Sequence, residues 1–231
     1  AWMARIGEGW PSPLLITIML LASILGGALL GLGPAVARAQ IGVNEIITTL
    51  MLNEVALRLL QWLIHGPWKD PDSKGFPLAP MLPGEARLPD LFERAHWGAV
   101  IALVVIALFG LVASRTAWGY ELRVAGSSGE TARYAGISLK RKIMTVLVLS
   151  GGIAGLAGGI ELSGNADRIV EGISAGYGFA GIIVAALALM RPSGVAAVAL
   201  LFGAVQVGGL SIQTMGVSSS VSTILQALIL F

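Results

Sequence analysis

Cysteine is absent from this 231-residue chain, which excludes disulfides, thiolate metal sites and cysteine nucleophiles. Charge is scarce: Asp, Glu, Lys and Arg make up 12% of the residues, against roughly 25% in a soluble globular domain. There are two histidines, His65 and His96, and they flank a long loop with no ligand spacing between them. A phosphate-binding loop of the form G-x-x-x-x-G-K-S/T is missing, and no nucleophile stands beside a base. No catalytic residues, metal site or cofactor site are therefore expected in the chain. If it drives anything uphill, another subunit supplies the power.

What is present is oil. Hydrophobic residues make up 55% of the chain and the mean hydropathy is +0.82. The apolar residues gather into blocks of about 15–22, the length that crosses a bilayer core of about 30 Å at about 1.5 Å per helical residue. The blocks are continuously apolar, whereas barrel strands alternate. The fold class expected is therefore all-α, a polytopic bundle of transmembrane helices with six to seven spans. The spans are placed at Pro13–Gly33, Val43–Ile64, Ala95–Ala113, Ile143–Ser163, Gly176–Met190 and Gly194–Leu210, with a seventh starting at Val217. The fifth and sixth are short and broken by "RPSG", so residues 176–210 read equally as two spans or one re-entrant hairpin.

Two loops carry the charge. The loop His65–Arg94 is dense in Pro and Gly, which predicts ordered turns or a short surface element. It holds the basic residues Lys69, Lys74, Arg87 and Arg94. The loop Ser114–Lys142 holds six: Arg115, Arg123, Arg133, Lys140, Arg141 and Lys142. Basic residues near spans mark the cytoplasmic side, so 114–142 is expected inside and 65–94 outside. Arg38 and Arg191 then also fall inside by alternation.

Three intramembrane patterns stand out. In "VNEIITTLMLNEVALRLLQWLI", Asn44, Glu45, Thr48, Thr49 and Asn53 recur at spacings that share one broad helix face. Such a face can line a solute path or serve as polar glue between helices; Asn44 and Glu45 can also simply sit at the interface. Glu54 and Arg58 stand four apart, the spacing of a helical ion pair. In "GGIAGLAGG", Gly151, Gly155 and Gly159 repeat every four residues, a pattern that admits a close helix neighbour. In "EGISAGYGFAGIIVA", glycines surround Tyr177 and Phe179, which suggests the irregular start of a helix. The two aromatics offer either a platform for a planar ligand or part of an interfacial belt.

The stretch "GYELRVAGSSGETARYAGISLKRKIMTVLVLSGGIAGLAGGIE" resembles the central region of permease subunits of ATP-binding-cassette importers. The branch is the one that moves ribose-like sugars, branched-chain amino acids and nucleosides. "VNEIITTLMLNEVALRLL", "GPWKDP" and "GFAGIIVAALALMRPSGVAAVALLFGAVQVGG" follow the same resemblance from about Gly42 onward, most like nucleoside or simple-sugar members. One departure is Glu54, where the family pattern commonly has an aromatic residue. The resemblance implies a single permease domain over 1–231, in a multi-pass protein of the plasma (inner) membrane. Its expected partners are cytoplasmic ATPase subunits carrying ATP-Mg, a second permease subunit, an extracytoplasmic solute-binding protein and the lipid bilayer, with no nucleic acid. The chain itself is expected to be an internal piece of a longer permease, cut at both ends.

The resemblance also gives the basic loop a role. Gly126 through Ile137, centred on Thr131, Ala132, Tyr134, Ala135 and Gly136, matches the short coupling helix that docks into the ATPase, with Arg133 able to meet acidic groups there. A solvated loop held near anionic headgroups is the plainer reading. Two other functions compete with the importer. An ion-coupled secondary carrier would use Glu45 or Glu54 as its coupling group, and a membrane scaffold would transport nothing.

Overall fold

A computed structural model of the chain describes residues 7, 9–71, 73, 76, 78–92, 95–174 and 176–213, with the side chains of 209–213 excepted. Lys74, Arg94 and the run from Val217 lie outside these residues. The chain divides into two compact units, Ala1–Val100 with Glu121–Ile173 and Ile101–Tyr120 with Ser174–Phe231. Among the described residues four helices are long and apolar enough to cross a membrane.

The first unit is built on α1 (Ser12–Val36) and α6 (Leu139–Glu161). Pro11 and Pro13 start α1, where a missing N–H is tolerated. Pro34 lies inside it, and just beyond, the chain widens into a π-helical turn at Ala37–Ile41. Gly42, in a left-handed conformation, then reverses the chain into α2 (Glu45–His65). A second π-helical turn, Leu162–Ala166, ends α6.

Backbone contact joins α1 to α6, which run antiparallel. A methyl group at Gly27 would overlap the Gly151 carbonyl and lie 2.8 Å from the Gly155 Cα. At Gly151 it would meet the Gly27 carbonyl at 2.5 Å, and at Gly159 the Ser23 hydroxyl at 2.6 Å. Lipid tails are as apolar as leucine, so burying apolar surface does not pull such helices together; van der Waals contact at close range does. Gly27 and Gly31 are four apart on α1, a small-xxx-small pair in its own right.

The long loop folds onto one end of this pair. Leu82 N–H donates to the Asp167 carbonyl (2.8 Å), and Leu88 N–H to the Ser163 carbonyl (2.8 Å). Arg87 pairs with Asp167 at 3.1 Å, and Ser12 Oγ donates to the Glu85 carbonyl at 2.6 Å. Leu15, Met19, Leu82 and Ala86 form a small buried core there, with Leu162 against it. The loop is therefore ordered, with a short 3-10 turn at Gly84–Ala86 and a two-stranded ribbon, β1 (Asp90–Phe92) with β2 (Ala95–His96).

Several expected boundaries are corrected. The third span begins at Gly98, because Ala95 and His96 are taken up by the ribbon; α3 is Gly98–Arg115. The segment 114–142 is mostly helical: α4 (Ala117–Ser127) and α5 (Gly129–Tyr134) precede α6, which already starts at Leu139. In the second unit, α7 (Tyr177–Leu187) has 11 residues, roughly 16 Å of rise and about half a bilayer core. It starts one residue after Gly176, whose φ is 80°. The break runs from Ala188 to Arg191, with Leu189 and Met190 both left-handed, so it begins ahead of "RPSG" and takes in only its Arg191. Pro192 then opens α8 (Pro192–Gln213), where a proline is best tolerated.

The crossing predicts a contrast between neighbouring glycines. Gly155→Val should cost at least about 1–3 kcal/mol, because a backbone carbonyl blocks its side chain. Gly158→Ala meets nothing within 4 Å and should be neutral or slightly stabilising. Thermal unfolding of the two purified variants in detergent measures the difference, and equal losses would refute the close crossing.

Candidate functional site

On α2, residues Thr49, Leu52, Asn53 and Ala56 fall at helical spacing along one stripe. The stripe faces an open cavity of about 420 Å³ whose other walls are Gly27, Leu30, Gly31 and Pro34 of α1 and Leu147, Ser150, Gly151, Ala154 and Gly155 of α6. The glycines that let α1 and α6 touch thus also thin the cavity wall. No lining residue is charged. Thr49 Oγ1 donates to the Glu45 carbonyl at 2.8 Å, which spends its proton and leaves the oxygen an acceptor only. Asn53 and Ser150 have no hydrogen-bond partner among the described residues.

Only two of the five polar candidates on α2 reach this cavity. Asn44 caps the helix, its side chain accepting from the Ile46 N–H at 2.9 Å. Glu45 pairs with Arg38 at 3.0 Å, across the turn that joins α1 to α2. Thr48 Oγ1 donates to the Asn44 carbonyl at 2.9 Å and is not among the lining residues. The expected Glu54–Arg58 pair is replaced: Arg58 donates to Gln61 at 3.1 Å, and Gln61 in turn donates to Glu171. Gln61 offers Arg58 a partner one turn on that is itself anchored. Ser150 and the α1 wall were not singled out by sequence reasoning; a Ser one residue before Gly151 is a signal that could have marked that face. Tyr177 and Phe179 both belong to the second unit, with Phe179 exposed at the start of α7.

A second opening, of about 320 Å³, lies at the end of the first unit where α1 meets α2. It is lined by Arg38, Glu45, Leu122, Ala125, Gly126, Leu139, Lys142, Ile143, Val146 and Leu147. Lys142 pairs with Glu121, tying α4 to the first turn of α6. That turn carries three basic residues, an arrangement the helix dipole disfavours, and Glu121 offsets part of the cost. Gly126 belongs to α4 and forms wall here.

The short helix α5 follows. Ser128 caps it, accepting from the Thr131 N–H at 3.2 Å, and Glu130 sits favourably in its first turn. At its end, Gly136 adopts φ 73°, with Ile137 N–H donating to the Ala132 carbonyl (2.8 Å) and Gly136 N–H to the Arg133 carbonyl (3.0 Å). This is a Schellman stop. Tyr134 is 93% exposed while Ala132 is fully buried, so Ala132 seats the helix and Thr131, Arg133, Tyr134 and Ala135 form its free surface.

In the first unit the two charged segments occupy opposite ends. Arg38, Arg123, Arg133, Lys140, Arg141 and Lys142 gather at the α5 end; among the described residues the loop end has Lys69, Arg87 and Arg168.

The family model described as "Branched-chain amino acid transport system / permease component" matches residues 2–231. The glucose ABC transporter permease protein of Haloferax volcanii is 34% identical, over 99% of this chain and 63% of its own length. The guanosine ABC transporter permease protein of Bacillus subtilis is 31% identical, over 99% of this chain and 67% of its own length. The nucleoside ABC transporter permease protein of Lactococcus lactis is 28% identical, over 100% of this chain and 66% of its own length. The chain thus spans about two thirds of the length of these relatives. No solved structure matches it.

The partition of basic residues predicts sidedness. The chain has no native cysteine, so Ser73→Cys and Tyr134→Cys are clean probes. In intact cells an impermeant thiol reagent should label the first, and the second only after permeabilisation. The reverse pattern would invert the orientation.

Proposed function

The chain belongs to the family of branched-chain amino acid transport system permease components, and from that premise we propose that it forms part of the solute path of an ATP-binding-cassette importer for a small uncharged solute, a nucleoside or simple sugar. It is a multi-pass protein of the plasma membrane. The observation that carries the reading is the cavity between α1, α2 and α6: apolar and thin-walled, with Thr49, Asn53 and Ser150 as its polar side chains and no charge. Neutral hydrogen-bonding groups suit hydroxyls and ring nitrogens; a zwitterion or an anion would enter unpaired. The relatives named for glucose, guanosine and nucleosides support the same solute class.

Power comes from a partner. We assign ATP-Mg to separate cytoplasmic ATPase subunits, and solute delivery to an extracytoplasmic binding protein. A second permease subunit completes the path. The free surface of α5 is the contact for the ATPase: Tyr134 projects almost wholly into solvent, and caps at both ends hold the helix although it has only six residues. The ion-coupled alternative loses ground on geometry. Glu45 is tied to Arg38, and Glu54 lines neither opening.

Two experiments test this proposal. Thr49→Val and Asn53→Leu should each slow uptake of solute by about five-fold, the worth of one neutral hydrogen bond of about 1 kcal/mol. The amount of folded protein should hold, since such bonds within membranes average only about 0.6 kcal/mol in stability. Unchanged uptake kinetics in both variants would reduce the stripe to helix packing. Separately, Tyr134→Ala and Arg133→Glu should abolish co-purification with the ATPase and solute-stimulated ATP hydrolysis while leaving membrane insertion intact. Wild-type behaviour in both would remove α5 from the interface.

A further inference from the structure

The face of α2 turned away from the cavity carries a pattern of its own. Glu54, Arg58, Gln61 and His65 stand four, three and four residues apart, and Ile47 lies seven before Glu54. At about 100° per residue these positions form one stripe, on the side opposite Thr49, Leu52, Asn53 and Ala56. Ile47, Glu54, Arg58 and His65 are all exposed. Glu54 is the tenth of the 21 residues of α2 and Arg58 the fourteenth, so both charges fall in the middle third of the span. An ionisable group at that depth is expensive against lipid and is met by a partner or by a water-filled space inside a bundle.

Pairing within the chain stops short of Glu54. Arg58 spends one of its five N–H groups on Gln61 at 3.1 Å, and Gln61 in turn donates to Glu171. Both bonds run toward the loop end of the helix. Glu54 has no hydrogen bond or ion pair among the described residues, although Arg58 stands one turn away. The stripe thus keeps one unmatched carboxylate and one guanidinium with donors to spare. Leu50 and Leu57 border it on one side and Met51 on the other, all exposed, so the two charges sit within an apolar surround.

Charge complementarity names the occupant. Two copies inserted with the same sidedness are related by a two-fold axis along the membrane normal, so a face on that axis meets itself at equal depth. In such a contact residue i meets j, and j meets i. Glu54 of one copy then lies about 6 Å along the axis from Arg58 of the other, at about 1.5 Å per residue, within the span of a long guanidinium side chain. Symmetry makes the pair twice. We propose that the stripe through Ile47, Glu54 and Arg58 is the surface on which a second copy of this chain docks, by reciprocal Glu54–Arg58 ion pairs across a two-fold axis. The inference rests on the reading that a second permease subunit completes the path, and it names that subunit and its contact.

The test uses the full-length importer in native membranes. Glu54→Arg and Arg58→Glu, each expressed alone, place like charges together at the axis. Each should lower co-purification of two differently tagged copies by about ten-fold or more. Expressed together, the two variants face each other with opposite charges at both contacts, and co-purification should return to near the wild-type level. A pair formed inside one helix is not rescued in this way, since neither variant carries both signs. A variant that fails to insert is replaced by Ile47→Cys, the single cysteine in a chain that has none. A short bismaleimide should join two copies into a band of twice the chain's mass, whereas Leu52→Cys, on the cavity face, should give no such band. Co-purification that both charge variants leave intact overturns the inference. So do inserted mixed variants that stay apart, and an Ile47→Cys adduct of any other mass or none at all. Uptake of guanosine and glucose is read on the same membranes: wild-type protein that associates but takes up neither sinks the path reading and leaves the contact standing.

Discussion

Backbone contact between α1 and α6 is the constraint on which the first unit depends. Where Gly27 meets Gly151 and Gly155, there is no room for a single methyl group. That closeness supplies the dispersion energy that holds two apolar helices together in a solvent as apolar as themselves. It also sets the depth of the neighbouring cavity. With side chains at the crossing, α2 would stand further off, and Thr49 and Asn53 would face lipid or a filled interior. The same residues thus provide both adhesion and space.

Around this crossing the two ends of the unit are treated differently. At one, the loop is stitched down by main-chain hydrogen bonds to the π-helical end of α6, with a small apolar core beneath it. At the other, attachment is by charge: Arg38 with Glu45 and Lys142 with Glu121, around an opening to which the segment leading into α5 also contributes. Main-chain ladders are hard to rearrange, whereas ion pairs open to solvent on at least one side are individually weaker and exchange more readily. That asymmetry is consistent with the proposed function, in which the stitched end would meet delivered solute and the charged end the ATPase. Leu147, five residues after Lys142 and three before Ser150 on α6, lines both openings, so a shift at the charged end has a direct route to the cavity.

Much of this was legible in the chain itself. Apolar runs of bilayer length, with almost no charge inside them, dictate helices, because lipid offers backbone polar groups no partner. The glycine repeat on α6, the ordered loop and the family resemblance follow from local sequence. So do the approximate spans, although the ribbon at Ala95–His96 shortens one and Leu189–Met190 breaks another where no residue type announces it. The basic segment 114–142 hid one helix, α4, too short and too polar to show an apolar stripe, whereas the short helix α5 falls inside the Gly126–Ile137 range that the resemblance marked.

The site divides along the same line. Sequence alone determined that Asn44, Glu45, Thr48, Thr49 and Asn53 share a helix, since helical periodicity is a property of one segment. It could not say which of them face the cavity. That was decided by tertiary structure, which assigns Asn44 to a cap, Glu45 to Arg38, and Thr49 and Asn53 to the wall opposite Pro34 and Ser150. The physical reason is that a hydrogen-bonding group finds its partner, or is left without one, only when other segments arrive beside it.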